Sequence, residues 1–326
     1  MKRRDWCAWT ALALIGPGRA QTVANRPAIG QERFTLVAPF PPGGPVDTLS
    51  RVLAEGLSKR YGQTAWVDNL PGGAGNIGMD KVRRAKPDGH TLLVIPAGNI
   101  TINPTLMANF PFQMEQDFAP VTMLAKTPNV LVAHPSTGFK NLSDLIDRAK
   151  SQPGKLSFAS PGVGSGLHLA GELFKQQAGI DLLHVPYKGT GPALNDVLGG
   201  TVPLMFSNLP AVLGHIRSGK LLALGLTDSA RSPVAPDIPF LAEQGVSGVV
   251  VTSWYGLMAP GGTPAQVVEQ LAIDTREILA QPDVIEKLQR QGLALTPMTP
   301  PEFATLIKRE TTSWAAILKA RKITAE

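Results

Sequence analysis

Short apolar runs of β character recur along the chain at 34–40, 91–95, 129–133, 156–160, 182–185, 222–227 and 254–258. Between them, apolar residues repeat at helical spacing. The clearest case follows Asp47, where Leu49, Val52, Leu53 and Leu57 fall on one face. A second helix is expected after Gly166, and a third from Thr263 and Pro264, with Thr263 as its cap. The last begins at Thr299-Pro300-Pro301-Glu302, a capping box, and carries Phe303, Leu306, Ile307, Trp314 and Leu318 as a buried stripe. Strands alternating with helices predict an α/β protein with largely parallel sheets. No low-complexity linker or internal repeat separates the parts. We therefore expect two lobes joined by crossing strands near 129–135 and 250–257, with a ligand cleft between them. Residues 25–130 and 255–326 form lobe one in this reading, and residues 131–254 form lobe two.

The N-terminus departs from this pattern. Met-Lys-Arg-Arg precedes a mostly apolar stretch from Trp6 to Ile15, then Gly16, Pro17, Gly18 and the small residue Ala20. That is the form of a secretory signal peptide over 1–20, cleaved after Ala20 or, as second choice, Ala24. The run is too short for a bilayer, which takes roughly 20 residues. The single cysteine, Cys7, falls inside it. A mature chain without thiols has no disulfide, Fe–S cluster or cysteine-ligated zinc. The whole chain has 31 basic and 25 acidic residues; losing Lys2, Arg3, Arg4, Arg19 and Asp5 leaves 27 against 24. The basic residues are scattered, so a nucleic-acid partner is not indicated.

Four glycine-rich loops follow β runs and precede helices: Pro39 to Asp47, Asn69 to Asn76, Ser160 to Gly166, and Pro186 to Gly191. Glycine lets backbone N–H groups turn toward a ligand, and a helix start adds unpaired donors and partial positive charge. In open α/β sheets, ligands sit beyond the carboxyl ends of strands, where these loops lie. One helix dipole contributes ~0.3–2 kcal/mol, too little alone for micromolar binding at about −8 kcal/mol. Four or five charge-assisted hydrogen bonds of roughly 1.5–3 kcal/mol each supply the remainder. Ser160, Ser165, Asn99 and Asn208 suit that task.

Enzyme motifs fail on inspection. The third glycine of a dinucleotide loop would be residue 167, which is Leu. No Gly-Lys-Ser/Thr string exists, and Val163 breaks the nucleophile-elbow pattern before Ser165. A hydrolase using Ser165 and His168 is the remaining catalytic alternative. His90, His134, His168, His184 and His215 show no metal-ligand spacing, and His168 with Glu172 is a lone helical pair. Asp47 reads as a helix N-cap, or as a group that meets a ligand through its backbone or binds a ligand ammonium. Lys188 is either a carboxylate partner or a solvated loop lysine.

The strings resemble the Bug-type receptor family of tripartite tricarboxylate transporters. They include Phe40-Pro41-Pro42-Gly43-Gly44 with Asp47 and Arg51, and Asn69-x-Pro71-Gly72-x-x-Gly75-x-Ile77-Gly78. Pro87-Asp88-Gly89, Asn103-Pro104, Gly164-Ser165-x-x-His168-Leu169 and His184-Val185-Pro186-Tyr187-Lys188-Gly189 continue the likeness, and Ala259-Pro260-x-Gly262-Thr263-Pro264 ends it. The resemblance implies a two-lobed periplasmic-binding-protein (Venus-flytrap, type II) α/β fold with two hinge-crossing strands. It implies a periplasmic protein without cofactor or metal that captures a small mono-, di- or tricarboxylate and delivers it to large and small membrane subunits. A sensor accessory for a membrane kinase is the alternative, and monomer is the default state. Site residues implied are Phe40, Pro42, Gly43, Gly44, Asp47, Asn99, Ser160, Gly162, Gly164, Ser165, His168, Ser207, Asn208 and Thr227. The chain departs from the family at Leu70 and Leu222, where arginine is usual, and at His90, where tyrosine is. Ser50 replaces a frequent alanine, and Val46 a small polar residue.

Overall fold

The computed structural model describes Ile29 and residues 32–228 and 231–324. The expected signal peptide, 1–20, lies outside the described residues. In chain order the elements are β1 (Phe34–Ala38), α1 (Pro45–Tyr61), β2 (Ala65–Asn69), α2 (Asn76–Arg83), β3 (Thr91–Pro96), α3 (Ala97–Thr101), α4 (Asn103–Leu106), α5 (Met114–Asp117), β4 (Phe118–Thr127), β5 (Asn129–Ala133), α6 (Leu142–Ser151) and β6 (Ser157–Ser160). There follow α7 (Gly166–Ala178), β7 (Leu183–Pro186), α8 (Thr190–Leu198), β8 (Leu204–Asn208), α9 (Leu209–Arg217), β9 (Leu222–Leu226), β10 (Ser253–Pro260), α10 (Ala265–Leu279), α11 (Pro282–Arg290), β11 (Ala294–Leu295) and α12 (Pro300–Arg321). Among the described residues no helix is long and apolar enough to cross a membrane.

Two sheets form, ordered β11-β4-β10-β3-β1-β2 and β7-β6-β8-β5-β9. Their central strands are apolar on both faces, as helix-covered sheets require. In β3, Leu92 and Val94 join the core under α1 and α10, while Leu93 and Ile95 join the core on the opposite face. In β5, Leu131 and Ala133 face one core and Val130 and Val132 the other. Pairing is parallel among β2, β1 and β3 and among β7, β6 and β8. It is not parallel throughout: β10 opposes β3 and β4, and β5 opposes β8 and β9. β5 and β10 are the strands by which the chain enters one sheet from the other. They arrive without a crossover helix, so parallel pairing is not imposed on them.

Every expected β run is a strand, but β2, β4, β8 and β11 were not anticipated. β4 contains Pro120 and only two β-branched residues before Thr127, and Leu204-Met205-Phe206 of β8 suits a helix as well as a strand. The capping box of α12 forms as expected. Thr263 does not cap α10; its hydroxyl donates to Pro260 O, and Pro264 holds the cap position. α12 starts on the first sheet through Phe303 and ends against α7, where Leu318 packs with Leu169.

The first crossover is Pro128 alone, just before the expected segment, because Asn129 already pairs with Asn208 in the second sheet. The chain returns between Leu226 and Ser253. Asn129 ties both crossings together. Its fully buried amide donates to Val251 O at 2.8 Å and accepts from Asn208 Nδ2 and Ser253 Oγ, each at 2.8 Å. Thr227 N donates to Asn129 O at 2.9 Å, and Val251 N to Thr227 O at 2.7 Å. Truncation at Asn129 strands buried polar partners, each worth about 1–3 kcal/mol. Asn129→Ala is therefore expected to lower the unfolding free energy by about 2–4 kcal/mol in urea titration; a loss below about 1 kcal/mol would show that water replaces the amide.

Candidate functional site

The first loop turns at Gly43, whose φ of +95° favours glycine, and leads directly into α1. Asp47 stands in the first turn of that helix, not at its cap, which is Gly44. Its carboxylate accepts from Gly43 N at 3.2 Å, from Arg51 Nε at 3.0 Å and from Asn69 Nδ2 at 3.1 Å. Burial opposes ionisation, but the bonds from Arg51, Gly43 and Asn69 outweigh it and lower the pKa. Asn69 also donates to Phe40 O at 3.1 Å. Asp47 thus clasps the loop from behind. In the second loop, Ala74 O accepts Asn99 Nδ2 at 2.6 Å, which brings the second loop to the start of α3.

The third loop is held by side chains that do the same work. Ser160 Oγ lies 2.7 Å from His184 Nε2 and accepts Gly162 N at 3.2 Å. Ser165 caps α7 by accepting His168 N at 3.1 Å, while its hydroxyl donates to Gly162 O at 2.8 Å. Gly164 N donates to His168 Nδ1 at 3.3 Å, which requires that nitrogen to be unprotonated. His168 and His184 stack with centroids 4.2 Å apart. Burial drives His168 down to about 3, helped by His184 and Lys175, and burial likewise drives His184 down to about 4. Ser165 and His168 meet through a cap, not through the imidazole, so they are not arranged as nucleophile and base.

The first and third loops, with the starts of α3, α8 and α9, the return strand and α12, line a cavity of about 80 Å³ between the sheets. Five helices start at its wall: α1 at Gly44, Pro45 and Val46, α3 at Ala97, Gly98 and Asn99, α7 at Ser165, Gly166 and Leu167, α8 at Thr190, and α9 at Asn208. First-turn N–H groups have no acceptor in their own helix, so the starts of α1, α3, α7 and α8 offer donors to an anion, whereas α9 gives Leu209 N to Pro128 O and follows it with Pro210. Among the described residues, its only ionisable side chains are Tyr255 and Glu310, with no lysine or arginine. The cleft is shut. A Cβ on Gly98 would lie 3.0 Å from Gly164 O and 3.1 Å from Gly166 N, and one on Gly189 would lie 2.7 Å from Pro41 Cδ.

The model of the tripartite tricarboxylate transporter family receptor matches residues 49–323. The chain belongs to this family. Among curated relatives of this receptor, a protein from the tcbD-tcbE intergenic region of Pseudomonas sp. strain P51 is 38% identical over 99% of this chain and 96% of its own. Three solved structures cover similar ground. The periplasmic binding protein BugD is 33% identical with TM-score 0.85, covering 90% of this chain and 99% of its own. An R. palustris protein with adipate, Rpa4515, is 33% identical with TM-score 0.86, covering 90% and 98%. MatC from Rhodopseudomonas palustris with bound malate is 32% identical with TM-score 0.83, covering 88% and 99%. The fold is accordingly that of two-lobed periplasmic binding proteins, and the family is one of solute receptors, not enzymes.

Of the expected site residues, Phe40, Gly44, Asn99, Ser165 and Asn208 line the receptor's cavity. Asp47, Ser160, Gly162, Gly164 and His168 lie outside that lining, in the same loops or their supports, and Pro42 and Gly43 are exposed in the first loop. Ser207 is buried in β8 and donates to Asn208 O, and Thr227 donates to Val251 O at the crossover. Thr190, Thr252, Ser253, Tyr255, Glu310 and Trp314 line the cavity and were not anticipated. Thr190 sits in a loop already singled out, and Ser253 in a crossing segment. Glu310 and Trp314 gave no signal, since their helix read as a packing stripe. Lys188 is not in the wall. Among the described residues, Glu32, Asp88 and His90 offer ligand atoms within 4.8 Å of one another, away from the cavity.

The stacked histidines make stability depend on pH. Both are neutral when folded and titrate near 6.5 when unfolded, so the unfolded state takes up protons first and stability falls as pH drops below about 6.5. The fall continues toward their folded values of about 4 and 3. Between pH 6.5 and 5 the pair is expected to cost on the order of 3 kcal/mol. Urea titrations across that range check it, with His184→Gln roughly halving the slope. An unchanged slope would assign the acid sensitivity to carboxylates instead.

Proposed function

We propose that this receptor captures a small carboxylate in the periplasm and presents it to the large and small membrane subunits of a tripartite tricarboxylate-type transporter. One observation carries the reading: five helix starts converge on a cavity between the sheets whose wall, among the described residues, holds no cationic side chain. Such a wall favours an anion small enough to be surrounded by amide groups, and the adipate and malate of related structures are of that kind. Ser165, Thr190, Asn99 and Asn208 add neutral polar contacts from both sides of the cleft. The bodies that close divide at Pro128 and again between Leu226 and Ser253, a little earlier in the chain than the sequence suggests at the first crossing, with α12 lying against both. An N-terminal signal peptide, cleaved on export, delivers the chain to that compartment.

Closure follows from ligand contacts made with both lobes at once. A carboxylate at about 100 times its dissociation constant should add roughly 2.7 kcal/mol of stability. A thermal-shift panel of mono-, di- and tricarboxylates, amino acids and neutral sugars reads this directly. Stabilisation by sugars alone would reject the reading. Gly98→Val is expected to prop the cleft open, because its side chain meets the backbone of Gly164 and Gly166. The variant should keep its melting temperature without ligand and lose about tenfold or more in affinity, measured by calorimetry. Undiminished affinity would mean that binding does not require this closed contact.

A further inference from the structure

The carboxylate reading leaves one part of the cavity wall unexplained. Every other lining helix presents its N-terminus, whereas α12 presents its middle, through Glu310 and, one turn on, Trp314. Mid-helix N–H groups are bonded within the helix, so this stretch supplies no backbone donors to an anion. It supplies an acid. Glu310 Oε2 accepts the indole N–H of Trp254 at 2.7 Å, and Trp254 is itself buried and packed edge-on against Phe303. That bond fixes the carboxyl group and leaves its other oxygen to take a further donor. No lysine or arginine lines the cavity to provide one. Burial raises the pKa of Glu310, only partly offset by Trp254 and Arg309, as expected of an anion short of donors.

A second ligand carboxylate in so small a space would add a like charge near Glu310, where the dielectric is low and Arg309 compensates only in part. A hydroxyl or ammonium would do the opposite, giving the free oxygen its missing bond. Discrimination of this kind is strong because the mismatched ligand leaves buried polar groups unpaired. We infer that Glu310 is the specificity-determining residue: the receptor takes carboxylates whose far end carries a hydroxyl or ammonium donor, and rejects those that end in a second carboxylate. This rests on the carboxylate reading and narrows it.

The test is a calorimetric ranking at neutral pH of hexanoate, 6-hydroxyhexanoate, 6-aminohexanoate and adipate, with butyrate, 4-hydroxybutyrate, 4-aminobutyrate and succinate as the shorter set. The wild type should bind a donor-terminated acid about tenfold or more tightly than the diacid of the same length. Glu310→Gln keeps an acceptor for Trp254 and removes the charge, so it should cancel or invert that preference. A merely structural Glu310 would change the melting temperature and leave the ranking alone. Preference of the wild type for the diacid overturns the inference even if the variant does not fold, as does an unchanged ranking in folded Glu310→Gln. Failure of all eight acids to bind the wild type would reject the carboxylate reading itself, and the inference with it.

Discussion

Everything in this molecule hangs on a single buried amide. Asn129 is the residue at which the chain has just left the first sheet, and its side chain reaches the segment by which the chain returns. One donor and one acceptor serve three segments, so each bond fixes the others. A buried amide left half-satisfied costs more than its bonds contribute when complete, which makes the arrangement close to all-or-none. The partners of that amide are also cavity residues. Asn208 and Ser253 line the wall, as does Val251, whose carbonyl takes the Asn129 donor. Hinge and ligand chamber therefore share atoms, and a ligand touching Asn208 or Ser253 touches the crossover.

The second constraint is electrostatic. A lysine or arginine in a closed, mostly apolar chamber would be desolvated whether or not a ligand neutralised it. Helix starts avoid that cost, because their dipoles are fixed by the backbone and carry no net charge. Apart from Tyr255 and Glu310 in the wall, the ionisable groups of these loops stand one layer back, where they position the loops. Asp47, paired with Arg51, holds Gly43; His168, kept neutral, holds Gly164. Several residues expected at the site therefore stand outside the cavity lining and hold the loops that form it. A support behind a glycine-rich loop and a contact within it carry the same local signature.

That ambiguity marks how far the sequence could be read. The seven strong β runs, the loops that follow them and the capping box at Thr299 were legible because each depends on neighbours along the chain. β8 was not: Leu-Met-Phe takes its strand conformation from β5 and β6, which lie far away in sequence. Asp47 looked like a cap because its first-turn place suits one, and only the fold brings Asn69 to it. His168 stands out in the sequence beside Ser165 and Glu172, but its stack on His184 joins a helix to a strand and leaves no trace in spacing. Glu310 is the extreme case. It occupies the polar side of an amphipathic helix, where an acid ordinarily means solvent, and becomes a cavity residue because α12 runs from one lobe to the other.

The same path of α12 bears on how selectivity arises in a chamber of this design. Backbone amides accept almost any carboxylate, so the loops that bind the anion cannot also choose it. Their closure leaves no room for a side chain at Gly98 beside Gly164 and Gly166, or at Gly189 beside the Pro41 ring, which sets the enclosed volume but not its chemistry. Choice must then come from walls that are neither loops nor helix starts. Here those walls are the return strand, through Ser253 and Tyr255, and the middle of α12, through Glu310 and Trp314. Both belong to elements that link the lobes, one by covalent crossing and one by packing Leu318 on Leu169. A ligand that suits them rewards the closed arrangement directly, whereas a ligand held only by the loops gains the carboxylate bonds alone. If the chamber holds a carboxylate as proposed, recognition and closure draw on the same surfaces, and the part of the wall that offers no amide is the part left to decide which anion stays.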